Sequence, residues 1–212
     1  MIQNSNENYK HFCLKPLAVE HLESIAEWYE NIEDLVLIES KLPVPVNAQA
    51  LEKAWQQDLV DTEPRSSHVF SICDENFEPI GYTGLQDINY AHGNGVVFVY
   101  IRKDKRRGGV ALRSVALMLD LAFDQLRLHR VTTYVHARNN ASVSLIKRIG
   151  FIDEGCMRES CFFDGEYSDV NIVGTLSREW LTVRRSLSEA LDGQVVVAFG
   201  RNADSRWRWP LK

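Results

Sequence analysis

An α/β fold, with helices flanking a mostly antiparallel sheet, is predicted by three observations. First, β-branched segments between His68 and Ile101 are separated by turn residues, the pattern of an antiparallel meander. Second, a 3.6-residue apolar period then runs from Val110 to Leu126, which marks a long helix packed on that sheet. Third, strand and helix patterns alternate from Arg130 to Phe199, which extends the sheet beyond the meander. The chain of 212 residues is about one domain long, on a scale of roughly 150 residues per domain.

The elements follow in order. Phe12 to Leu17 is extended and leads into a helix from Val19 to Asn31, with Leu22, Ile25, Ala26 and Tyr29 on one face. A second helix covers Ala48 to Leu59. Between them, Pro43 and Pro45 exclude regular helix, so Leu42 to Val46 is a loop placed to cover a cleft. The meander strands are His68 to Asp74, Pro79 to Asn89 and Gly95 to Ile101, with turns at Asp74-Glu75-Asn76 and His92-Gly93-Asn94-Gly95. After the long helix, Arg130 to Ala137 is a strand and Ala141 to Ile149 a short helix ending at Gly150, the expected glycine past a helix C-terminus. Phe151 to Glu154 and Tyr167 to Leu176 form a strand pair joined through Phe162 to Glu166, where Asp164-Gly165 is a hairpin signal. A helix from Arg178 to Leu191, a strand from Gln194 to Phe199 and a tail complete the chain.

Composition narrows the function classes. With 45% hydrophobic and 25% charged residues the chain is globular, and no apolar stretch approaches the roughly 18 residues of a membrane span. The opening MIQNSNENYK lacks the apolar core of a signal peptide, so a cytoplasmic location is expected. Cys13, Cys73, Cys156 and Cys161 are scattered and read as reduced thiols. His and Cys form no metal-ligand spacing. A net charge of -5 argues against nucleic-acid binding, yet Arg102 to Arg107 holds five bases and one acid.

Chemistry begins at that basic segment. Arg106-Arg107-Gly108-Gly109-Val110-Ala111 spans a strand end and a helix start, where backbone amides without helical partners meet the positive end of a dipole. Glycines let a ligand oxygen approach the main chain, so the segment is a candidate phosphate cradle; a solvated basic turn is the alternative. Thirty positions after Gly109, Asn139-x-x-Ser142-x-x-Leu145-x-x-x-Ile149-Gly150-Phe151 stands at a second strand-to-helix junction. Alone it reads as an amphipathic helix capped by Asn139 or Asn140.

The two junctions together resemble the GCN5-related N-acetyltransferases, whose acetyl-CoA loop matches here at Arg106, Gly109 and Ala111. The resemblance spans residues 10 to 180. Glu154 to Glu159 and Phe163 to Val170 resemble the ribosomal-protein N-terminal acetyltransferase branch and its polyamine-acetylating neighbours. It implies a mixed, twisted sheet split between strands 4 and 5, with acetyl-CoA as acetyl donor lying in the split. Residues 1–180 would form the acetyltransferase domain, and 181–212 a helix–strand extension packed on it. Phe98, Val99, Tyr100 and Ile101 would bind pantetheine, Arg106 to Ala111 the pyrophosphate, and Asn139 and Ser142 further parts of acetyl-CoA.

Transfer of acetyl to an amine needs a base for the ammonium and a proton donor for the departing thiolate. Many family members have a Tyr donor where this chain has Ile146, so the role passes to Ser142, whose alternative is helix capping. The carboxylates that relatives use as base match Cys161 and Val96 here, leaving Glu159 and His136 as candidates, each with a structural alternative. Tyr167 and Asp169 read as hairpin packing and hydrogen bonding.

The expected activity is therefore transfer of acetyl to a primary amine, on a protein N-terminus or a small molecule. An amino sugar or polyamine acceptor and a weakly catalytic acyl-CoA-binding protein stay open. Glu30, Glu33, Asp34 and Glu39 are acids available to a polycation. In the tail, Trp207 and Trp209 alternate around Arg208, which fits an added edge strand or a homodimer contact, with base stacking as the alternative.

Overall fold

Among the described residues of the computed structural model (10–32, 35, 44–59, 65–106, 108–163, 165–191, 195–202 and 204–211) nine strands form one sheet. The strands are β1 (Lys10–Pro16), β2 (His68–Cys73), β3 (Pro79–Asn89), β4 (Asn94–Ile101), β5 (Arg130–His136), β6 (Ile152–Phe163), β7 (Glu166–Leu176), β8 (Val195–Phe199) and β9 (Arg208–Trp209). Their spatial order is β6-β7-β5-β4-β3-β2-β1-β8-β9. Only β4 with β5 and β1 with β8 run parallel, so the sheet is mixed and mostly antiparallel, as expected.

The split lies where β4 meets β5. Their pairing covers Asn94 to Val96 against Arg130 to Thr132 and then stops. Beyond that point β4 stays paired with β3 up to Ile101, and β5 stays paired with β7 up to His136. Each strand keeps its outer partner, so two inner edges diverge around a cleft.

Helices cover both faces. Leu22–Trp28 (α1) and Ala48–Ala54 (α2), followed by Gln56–Leu59 (α3), lie on one; α1 brings Leu22, Ile25 and Trp28 against Tyr82 and Tyr100 of the sheet. On the other face Val110–Asp120 (α4) is buried along nearly its whole length among Leu85, Val97, Val131 and Val197. Each large apolar side chain buried in this way contributes about 1.5–3 kcal/mol. The helical path continues from α4 to Leu126 as expected, but Leu121–Gln125 is a π turn in which the Leu126 N–H bonds to Leu121 O, five residues back. Asn140–Ile149 (α5) ends at Gly150 with φ 92°, and Ser177–Ala190 (α6) packs Trp180 and Leu187 into the same core.

The sequence reading needs three corrections. The first helix opens as a 3-10 turn at Val19–His21 and its α part stops at Trp28, and the second is interrupted at Trp55. The strand starting at Phe151 does not stop at Glu154 but runs to Phe163 through two register shifts. Those bulges break the period of two, which is why the middle of β6 does not read as a strand. The loop residues Leu42 and Pro43, and Glu33, Asp34 and Glu39, lie outside the described residues.

The tail closes the sheet edge. β9 pairs with β8, and Trp209 is fully buried against Trp180. Both indole N–H groups donate to Asp120, which also receives Nε and Nη2 of Arg184 at 2.7 and 2.9 Å. One buried carboxylate thus joins α4, α6 and β9. A buried Trp209 is not available for base stacking.

Candidate active site

The loop from β4 to α4 is pinned from within. Arg106 Nε donates to Ile101 O at 2.9 Å, and its guanidinium lies 5.5 Å from the Tyr100 ring centre. Gly108 and Gly109 take φ values of 84° and 72°, the left-handed region. Behind them the buried Arg113 donates from Nη1 to both Gly108 O and Gly109 O at 3.1 Å. A Cβ on Gly109 would stand 2.5 Å from that nitrogen, so the guanidinium occupies the space a side chain needs. With the loop carbonyls engaged by Arg113, the first-turn amides of α4 have no helical acceptor and suit an anion.

The second junction is capped as expected. Asn139 Oδ1 accepts the Ser142 N–H at 3.0 Å, which fixes the first turn of α5 and leaves Ser142 half-buried there.

Two adjoining cavities occupy the split. The larger, about 330 Å³, is walled by Val99, Tyr100 and Ile101 of β4 and by Arg106, Gly109, Val110 and Ala111 of the loop. The smaller, about 140 Å³, is walled by Phe98 and Val99 on one side and by Thr133 to His136 of β5 on the other. Val99, Asn139, Ser142 and Leu145 line both, so one continuous cleft runs from the basic loop to His136. Gly108 lines neither cavity and serves the turn, and Arg107 lies outside the described residues.

The two base candidates separate. His136 faces the smaller cavity, and burial holds its imidazole below the usual range. Its Nδ1 lies 3.0 Å from Cys161 Sγ, and that thiol donates to Ser168 O at 3.2 Å. Glu159 is exposed, lines neither cavity, and sits at φ 50° on the β6 bulge with its N–H donated to Asp169 Oδ1. Of the two candidates, Glu159 in the strand leading to the hairpin is therefore not brought to the cleft, because the β6 bulge turns it to solvent, whereas His136 at the end of β5 is. Tyr167 packs edge-on against Phe162 and Asp169 holds the bulge, the hairpin roles expected of them.

Sequence reasoning missed Lys105, Arg148 and Arg113. Lys105 belongs to the basic run and Arg148 lies seven residues after Ala141 on the α5 face that lines the larger cavity, so spacing carried a signal for both. Arg113 interrupts the apolar arc of α4 four residues after Gly109, the spacing at which a helical side chain reaches back to the preceding turn.

A sheet split around a cleft, with a glycine turn and basic side chains at its mouth, suits a long ligand that carries phosphate at one end. The Acetyltransferase (GNAT) domain matches residues 11–152, and the chain belongs to this family. It is 29% identical over 131 residues to spermidine N(1)-acetyltransferase of Vibrio cholerae, covering 62% of this chain and 74% of the relative. A candidate ribosomal N-acetyltransferase of Bacillus subtilis, YdaF, is 26% identical over 170 residues, covering 79% and 86%. The crystal structure of the Vibrio cholerae spermidine N-acetyltransferase in complex with CoA and spermine superposes with a TM-score of 0.72 at 25% identity, covering 80% of this chain and 98% of that one. The chain is therefore an acetyl-CoA-dependent N-acetyltransferase, and the pinned glycine turn and the cleft that continues from it fit that donor.

Proposed function

We propose that the acceptor is a primary amine of a small polyamine, acetylated at the end of the cleft that His136 and Ser142 both line. The observation that carries this reading is that both side chains line the same cavity, which opens on the inner edge of β4. When bound, acetyl-CoA supplies a thioester carbonyl to that place. Lys105, Arg106 and the first amides of α4 would hold the diphosphate end, and the inner edge of β4 beyond its pairing with β5, Phe98 to Ile101, would lie along the pantetheine. Asn139 fixes the turn that carries Ser142. His136, neutral at pH 7 because burial lowers its proton affinity, receives the proton of the acceptor ammonium. Ser142 Oγ holds the proton that the departing sulfur takes.

Polyamine recognition is supported by exposed Glu20, Glu23, Glu27 and Glu30, spaced by three and four residues at and just beyond α1, and by the similarity to spermidine acetyltransferases. A protein N-terminus is the second reading, favoured by the alignment with YdaF over most of both chains. In this account residues 1–180 carry the transfer chemistry, 181–212 close the sheet edge, and the protein works in the cytoplasm with its thiols reduced.

The test is release of free CoA from acetyl-CoA against polyamines, N-terminal peptides, amino acids and amino sugars. Turnover with polyamines is expected. Turnover confined to peptides would favour the second reading, and acetyl-CoA binding without turnover on any amine would overturn both.

A further inference from the structure

We propose that Cys161 is a positioning residue that holds His136 in one tautomer, with the proton on Nδ1 and the basic lone pair on Nε2. The inference rests on the reading of His136 as the base.

The hydrogens available at this contact can be counted. A thiol has one, and Cys161 donates it to Ser168 O at 3.2 Å. With the thiol hydrogen assigned to the carbonyl, which can only accept, the 3.0 Å contact between Sγ and His136 Nδ1 is assigned as Nδ1–H donating to a sulfur lone pair. A ring protonated at Nδ1 keeps its lone pair on Nε2, the nitrogen left to receive a proton. An imidazole free to exchange tautomers spends part of its time with Nε2 blocked.

Register makes the contact. Cys161 stands opposite Ser168 and His136 opposite Val170, two residues further along β7, so both side chains project from one face and meet across the intervening strand. The bulge between Met157 and Cys161 sets that register, and Asp169 Oδ1 pins it through the Glu159 N–H at 2.8 Å. Slippage by one residue would turn Cys161 to the opposite face.

The surrounding titratable groups are otherwise engaged. Asp169 of β7 is committed to Glu159 N and Cys156, and Arg138, after β5, pairs with Glu166 of β7 at 2.5 Å. Tyr134 shares the ring's strand and is exposed, and α5 offers the uncharged Asn139 and Ser142. Burial alone lowers the imidazole.

Two-bond proton–nitrogen correlations of the His136 ring, recorded on the intact protein above pH 7, are expected to show Nδ1 protonated and Nε2 bare. Cys161→Val should give a tautomer mixture and lower kcat about 10-fold, the scale typical of losing a partner that fixes a histidine. Acetyl-CoA affinity should not change. Cys161→Ser, which keeps one donor and an acceptor, should restore both the tautomer and the rate. Turnover is read as CoA release with spermidine, or with whichever panel amine turns over. An Nε2-protonated ring in the wild type, or a Cys161→Val variant with wild-type turnover while His136→Gln is impaired, would overturn the assignment. If His136→Gln itself turns over normally, the base reading fails first, and the role of Cys161 fails with it.

Discussion

The β4–α4 loop and the β6–β7 hairpin lie on opposite sides of the split and are built in different ways. The loop is a local object: the hydrogen bonds of Arg106 to Ile101 and of Arg113 to Gly108 and Gly109 fall within thirteen residues of chain. The hairpin acts at a distance, since Cys161 reaches His136 from 25 residues away through a bulge and a shared strand face. Donor binding thus rests on short-range backbone geometry, whereas proton chemistry rests on register. Changes to the first should be felt in affinity and changes to the second in rate.

The largest effect expected lies outside both regions and sharpens the contrast. Asp120→Ala removes the acceptor shared by Trp180, Trp209 and Arg184 and should cost about 3–5 kcal/mol of stability, because one partner of a buried network is lost. Denaturant unfolding measures it, and acetyl-CoA affinity of the folded protein should stay near wild type. Next, Gly109→Glu should weaken acetyl-CoA by on the order of 100-fold in calorimetry, through the clash with Arg113, the positive φ and a charge opposed to phosphate. Gly109→Ala, which lacks the charge, should lose less. Ser142→Ala should lower kcat about 10-fold with little change in donor affinity, the signature of a group that acts only in the transition state. Glu159→Gln, outside the cleft, should change kcat by less than about twofold, as surface substitutions usually do; a large loss would break the division drawn here.

How far the sequence could be read follows the same division. The glycine turn, the Asn139 cap and the order of strands were visible because each is written in neighbouring residues. The basic run points to the loop, yet the buried Arg113 that shapes it reads as a polar interruption, with Ser114, of an apolar helix. Glu159 is a base candidate in sequence because it is a carboxylate in the strand leading to the hairpin; the bulge that turns it to solvent depends on Asp169, ten residues later. The partnership of His136 with Cys161, and that of Asp120 with Trp209 across 89 residues, exist only once the register is formed. The period of two predicted a strand at the tail, and the closed sheet edge explains why Trp209 is an apolar partner and not a stacking surface.

The most direct test of the central claim compares CoA release by the wild type and His136→Gln near pH 7.5, with acetyl-CoA affinity measured in parallel. The account predicts a loss of about 10²–10⁴-fold in kcat, the range of a general base, at unchanged affinity. It also predicts wild-type activity that is flat above pH 7 and falls as pH drops through the lowered imidazole ionisation, where the ring becomes protonated. A His136→Gln enzyme with wild-type kcat and the same acidic limb would contradict the account.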